Sequence, residues 1–99
     1  MNALQRKIEM LTQFGAESIV DSTLNKLIDI QIAKYRSEMK DISQELAAFE
    51  QKYAMSSEDC YQRFNAGELG DDADFFEWTG LYEILILYRK RAEMIEAGK

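Results

Sequence analysis

The residues best equipped for chemistry crowd into one short stretch. Glu68, Asp71, Asp72, Asp74 and Glu77 place five carboxylates within ten positions. Carboxylates at that density can hold Mg²⁺ or Ca²⁺, or present an acidic patch to a basic partner. They can equally be the solvated residues of a turn and the caps of a helix that follows it. The glycine and closing Glu of an EF-hand loop do not fall at their required positions. Capping at a solvated turn weighs most, a basic-partner patch next, and a dedicated cation site least. Aromatic side chains lie alongside: Phe75, Phe76 and Trp78, with Tyr61 and Phe64 a little upstream. Such a set anchors protein interfaces, or forms the core where two helices meet. On a helix Phe75 and Phe76 point about 100° apart. Phe76 is the one expected to face a partner. Cys60 is the only thiol, and the neighbouring Glu58 and Asp59 would raise its pKa. It reads as a bland, buried cysteine.

The rest of the composition narrows the chemistry further. The chain has 99 residues, 12 Lys+Arg against 18 Asp+Glu, a formal net charge of −6, no His and no Pro. Without His the usual general base, catalytic triad and metal ligand are missing. The acidic balance argues against binding a phosphate backbone, so no direct nucleic-acid contact is expected. A single Cys permits no internal disulfide and no cysteine-rich zinc site. The chain is therefore read as non-enzymatic, with no cofactor. The N-terminus is amphipathic and mixed in charge, and the longest apolar run, Ile84 to Tyr88, has five residues. That falls short of a signal sequence or a bilayer span. With a lone thiol, the expectation is a cytoplasmic protein that makes no membrane contact.

These side chains have to be positioned by helices. A chain of this length carries about five prolines on average, and none is present to break a helix interior. No strand-like alternation persists, and no Asn-Gly or Asp-Gly hairpin turn occurs. Four helices are expected in a single domain over 1–99, at about 2–14, 17–54, 57–66 and 72–97. Asn2 with Gln5 suits a capping box for the first, and Gly15 is its stop. The second carries the clearest periodicity: Ile28, Ile32, Tyr35, Met39, Ile42, Leu46, Phe49 and Tyr53 step by 4, 3, 4, 3, 4, 3, 4. That is a heptad stripe with mostly charged flanks. At 1.5 Å per residue, a helix over 17–54 is about 57 Å long, too long for one layer of a compact 99-residue globule.

Upstream of Ile28 the phase slips, and Asp21 and Asn25 take what would be core sites. Either the helix continues through a stutter or it breaks at Asp21-Ser22-Thr23. Ser56 with Asp59 caps the short helix, whose buried face is Cys60 or Tyr61 with Phe64. Gly67-Glu68-Leu69-Gly70 is a tight turn with two positions free to take positive φ. Asp71 with Asp74, or Asp74 with Glu77, caps the last helix. That helix is apolar almost all round in its middle, so it should be covered from more than one direction.

The stretch from Ser56 to Trp78 is more distinctive than periodicity requires. Its Ser-initiated short helix, Phe64, the Gly67-Glu68-Leu69-Gly70-Asp71-Asp72 turn and the Phe75-Phe76-Glu77-Trp78 helix start resemble small helical antitoxin-like proteins. The TumA-type antitoxins, which pair with small toxin proteins, are the nearest named group. The match covers about a quarter of the chain. The resemblance implies a small, acidic, helical protein that neutralises a basic, nucleic-acid-acting toxin by covering it. It carries over no catalytic residues. A basic recognition helix after a short Gly turn is missing here, which puts operator binding by this chain in doubt.

The combined expectation is an all-α, elongated antiparallel helical hairpin or coiled coil with a short intervening helix, assembling as a helical bundle. The heptad stripe Ile28, Ile32, Tyr35, Met39, Ile42, Leu46, Phe49 and Tyr53 is the expected oligomer seam of a homodimer or larger assembly. Glu68, Asp71, Asp72, Asp74 and Phe76 are the expected contacts to a basic, toxin-like protein. The rival readings are a structural coiled-coil subunit and, less favoured, a metal-dependent helical-bundle enzyme. Bundles of that second kind use Glu-x-x-His pairs, which this chain does not contain.

Overall fold

In the computed structural model, which describes residues 1–99, the chain folds as four helices. They are α1 (Ala3–Gln13), α2 (Glu17–Tyr53), α3 (Ser57–Asn65) and α4 (Ala73–Ala97). Each begins and ends for a local reason. The Asn2 side chain accepts from the Gln5 N–H, and the Gln5 side chain accepts from the Asn2 N–H, a full capping box. Gly15, at φ +91°, closes α1 in a Schellman turn: its own N–H donates to Thr12 O and that of Ala16 donates to Leu11 O. Gly67, at φ +75°, closes α3 the same way, through Phe64 O and Arg63 O. Gly70 does not take positive φ, so the turn uses one such position and not two.

The break in the first half of the chain falls at Gly15. Through Asp21-Ser22-Thr23 the helix is continuous. Asn25 Nδ2 donates to Asp21 Oδ2 at 3.4 Å across one turn, so the two polar residues at the phase slip satisfy each other on an exposed face.

The long helix ends without glycine. Ala54 takes the left-handed conformation, φ 52°, and its N–H donates to Glu50 O. That conformation strains a residue bearing Cβ by roughly 1–2 kcal/mol. Ala54→Gly is therefore expected to raise the unfolding free energy by about 1 kcal/mol, less the entropy glycine restores to the unfolded chain. Urea denaturation of the two proteins checks this; equal or lower stability in the variant would contradict it.

α4 folds back antiparallel along α2, from Asp74 beside Lys52 to Lys99 beside Asp29. The molecule measures 61 × 24 × 19 Å, with a radius of gyration of 19.9 Å. A compact chain of about 100 residues would have about 13 Å. The heptad stripe runs from Ile28 to Tyr53, and α4 covers α2 over just that stretch. The stripe expected to join separate copies thus has its partner inside the chain. Ile32 and Leu46 are buried, while Ile28, Tyr35, Met39, Ile42, Phe49 and Tyr53 are half-buried. Tyr35 packs on Tyr88, with ring centroids 5.1 Å apart. The phase slips upstream of Ile28 because no α4 lies there to select a seam.

The densest part of the core lies where α2, α3 and α4 meet. Leu46, Cys60, Trp78 and Leu85 are buried together, with Phe49, Tyr53, Met55, Leu69 and Phe75 packed around them. α4 was expected to be covered from several directions. α2 and α3 cover it on two sides, burying Trp78, Thr79, Leu85 and Ala92, but Ile84, Ile86 and Leu87 stay exposed in its middle. No helix is long and apolar enough to cross a membrane.

Candidate partner-binding surface

The surface is built at the end of the hairpin where α3 hands over to α4. Leu69, packed into the core, pins the middle of the connecting turn, so the polar residues on either side point outward. Asp72 is the N-cap of α4; its Oδ1 accepts from the Asp74 N–H at 2.8 Å. Neither of the capping pairs expected from spacing is used. Asp72 caps through the residue two positions on, which satisfies an N–H that the first turn of a helix otherwise leaves free.

The five carboxylates do not act as one group. Asp74 turns inward: its Oδ2 accepts from Lys52 Nζ at 2.7 Å and from the Tyr53 hydroxyl at 2.5 Å. It is thereby a clamp between α4 and the end of α2. Glu68, Asp71, Asp72 and Glu77 are exposed. No three His, Cys, Asp or Glu side chains are grouped so as to hold a metal ion. Of the adjacent phenylalanines, Phe75 packs against Tyr53 and Trp78 at centroid distances of 5.1 and 6.4 Å. Phe76 lies on the outer face, edge-on to Phe64 at 5.0 Å and still 59% exposed. Its ring is held on one edge and free on the other, next to the acidic turn.

The clamp shifts its members in linked directions. The hydrogen bond from Lys52, then that from Tyr53, holds the Asp74 carboxyl below the usual carboxylate range. The same contact with Asp74 raises Lys52 and Tyr53 above their ordinary values. A carboxylate with a lowered folded-state pKa contributes stability that is complete above its unfolded pKa, about 4, and is lost as pH falls through the folded value. Lys52 and Tyr53 contribute stability that is complete below about pH 10 and lost above it. Thermal unfolding of the wild-type chain and Asp74→Asn is expected to differ by a constant amount between about pH 5 and 9. The difference should shrink at both extremes. A gap that does not change with pH would mean that Asp74 acts only by filling space.

Behind this surface lies a polar network that the spacing of residues did not reveal. Glu50 Oε2 accepts from the Ser57 N–H at 2.9 Å and from Ser57 Oγ at 3.0 Å. Trp78 Nε1 donates to Ser57 Oγ at 2.8 Å. One carboxylate from α2, one hydroxyl at the start of α3 and one indole from α4 thus lock three helices together. Glu50, on a flank of the heptad stripe, is half-buried, and its charge faces the N-terminal end of α3, where an anion is favoured. The only available sign was the Ser56-Ser57 pair. Ser56 caps α3 as expected, accepting from the Asp59 N–H at 3.1 Å, which leaves Ser57 free for the core. On the other side, Tyr61 donates to Glu83 Oε1 at 2.9 Å and packs on Tyr82, fixing α3 against α4. Cys60 is fully buried, and burial pushes its thiol up, away from the reactive thiolate.

No family model, curated sequence or solved structure matches the chain.

Proposed function

We propose that the chain is a non-enzymatic protein-interaction module, an antitoxin-like neutraliser that covers a small basic toxin partner. One observation carries this reading: three exposed carboxylates without a hydrogen-bond or ion-pair partner, Glu68 and Asp71 on the turn and Glu77 in the first turns of α4, accompany the exposed Phe76 where α3 hands over to α4, with Leu69 anchoring the turn to the core. An exposed aromatic next to unpaired charge of one sign suits an interface anchor with a steering rim. The net charge of −6 adds long-range attraction for a basic partner. The resemblance of Ser56–Trp78 to TumA-type antitoxins supports the same reading. Asp74, committed to Lys52 and Tyr53, belongs to the frame of this surface, and Asp72 serves both as cap and as surface charge.

The test is co-expression with the product of the adjacent gene, followed by purification and binding kinetics. Glu68→Lys with Asp71→Lys reverses charge without touching the cap of α4, and is expected to slow association about tenfold or more at low salt. Phe76→Ala is expected to speed dissociation, at a cost of about 2 kcal/mol. Helical content should stay unchanged in both variants; the melting temperature should stay unchanged on charge reversal and fall by only a few degrees in Phe76→Ala, which loses the edge contact with Phe64. Unchanged kinetics in a folded variant would remove the turn from the interface. A second reading, a structural oligomerisation subunit, is favoured by the apolar surface at the opposite end of the molecule.

A further inference from the structure

Nine of the fourteen large apolar side chains left exposed fall within residues 1–30, and five in the remaining chain. Seven of those nine are more than half exposed, Phe14 at 80% and Ile19 at 71% among them. α1 buries no residue at all, and an isolated helix of 11 residues is marginal in water. Beyond Asp29, the partner of Lys99 just past the end of α4, α2 continues toward its N-terminus without α4 against it. α1 lies back along this free stretch and leaves a groove of about 220 Å³ lined by Ile8, Leu11, Ile19, Val20, Thr23 and Leu24. Leu27 and Ile30 extend the apolar surface along α2, and both remain exposed.

We propose that this arm is the docking surface for a second copy of the chain, with the two arms forming a four-helix bundle across a two-fold axis. Three features select that occupant. The first is length: α1 is about 16 Å long and the free stretch of α2 about 18 Å, so each arm is a hairpin of nearly equal helices, matched to itself. The second is charge. α1 carries Arg6 and Lys7 against Glu9, whereas the free stretch of α2 carries Glu17 and Asp21 against Lys26. A two-fold arrangement that sets α1 of one copy beside α2 of the other pairs unlike charges at both rims, as a self-complementary interface requires. The third is area. Nine large apolar side chains, seven of them more than half exposed, crowd this one arm, a concentration that suits the roughly 800 Å² each partner gives up in a stable interface. The arm and the acidic turn sit at opposite ends of the 61 Å axis. The dimer would therefore present two partner-binding ends facing outward, and either proposal can fail without the other.

Sedimentation of the full chain from micromolar to millimolar concentration tests this. The wild-type protein is expected at twice its 11.5 kDa mass. Leu27→Asp and Ile30→Asp are at exposed positions that the folded hairpin tolerates. Both are expected at the single mass, with Trp78 fluorescence unchanged and helical circular dichroism reduced by no more than the contribution of α1. Phe76→Asp, at the far end, is expected to remain dimeric. Amide exchange gives a second readout on the unaltered chain: α1 amides should be protected at high concentration and open on dilution. A wild type that stays monomeric throughout overturns the proposal, as does α1 exchange that ignores concentration. A dimer that survives both arm substitutions overturns it too.

Discussion

Trp78→Ala is expected to lower the unfolding free energy by about 3–5 kcal/mol, the range for removing a large buried aromatic side chain. A domain of this size has about 5–15 kcal/mol in total, so the variant should be mostly unfolded in mild urea. The structure gives three reasons for an effect at the upper end. The indole is fully buried in a molecule with only eight buried residues, so few other contacts can compensate. It stacks on Phe49 with ring planes 10° apart and a centroid distance of 5.5 Å, and lies 5.7 Å from Tyr53. Its Nε1–H is the third link of the Glu50–Ser57–Trp78 network, and removing it strips a partner from the buried Ser57 hydroxyl. Trp78→Phe separates the two contributions. The ring stack survives and the hydrogen bond is lost, so a loss of about 1–2 kcal/mol is expected. Urea denaturation followed by circular dichroism measures both. A Trp78→Ala protein within 1 kcal/mol of wild type would mean that the junction of α2, α3 and α4 is not the centre of stability, and it would falsify this account of the core.

Leu46→Ala should cost about 2–5 kcal/mol. Leu27→Ala, nineteen residues earlier on the same helix, should cost less than about 0.5 kcal/mol to the folded monomer. The two leucines have identical chemistry and the same helical environment along the chain. They differ in what lies opposite. Leu46 is 4% exposed and packs in the cluster with Cys60, Trp78 and Leu85, whereas Leu27 is 56% exposed, beyond the end of α4. Removing three carbons at Leu46 leaves a cavity that the two paired helices cannot both collapse to fill; at Leu27 it uncovers only solvent. Trp78 fluorescence reports the transition in both variants. If the dimer forms through the arm, Leu27→Ala should weaken association while leaving the midpoint of the diluted monomer unchanged. Equal losses at the two sites would show that the whole length of α2 is covered alike.

The fold was legible because each of its signals is local. The Asn2–Gln5 capping box, the Gly15 and Gly67 stops and the Ser56 cap all act within about five residues, and α1 and α3 begin and end within a residue or so of where those signals place them. The heptad stripe was legible too, since a period is a property of one helix. Its partner was not. A row of apolar residues states that something covers it, and the same row serves an oligomer seam and an intrachain hairpin equally well. Whether α4 reaches it depends on the turn at Gly67–Asp72 and on the length of α4, which runs from Asp74 at Lys52 to Lys99 at Asp29.

The acidic stretch divides along the same line. That five carboxylates lie together was plain from composition and spacing. Which of them face outward was decided by the approach of α2. Lys52 and Tyr53 come from twenty-two and twenty-one positions upstream to claim Asp74, and Asp72 is taken by the backbone of α4. Phe75 and Phe76, adjacent in the chain, part by the 100° that one helical residue turns, and only the packed hairpin determines which of them meets Trp78. Helix content, helix ends and local clustering of charge are short-range properties, settled by neighbours along the chain. The occupant of each apolar face, and the freedom of each charge to meet a partner, are long-range properties. They exist only once α4 has folded back and put residues from distant parts of the sequence within van der Waals reach.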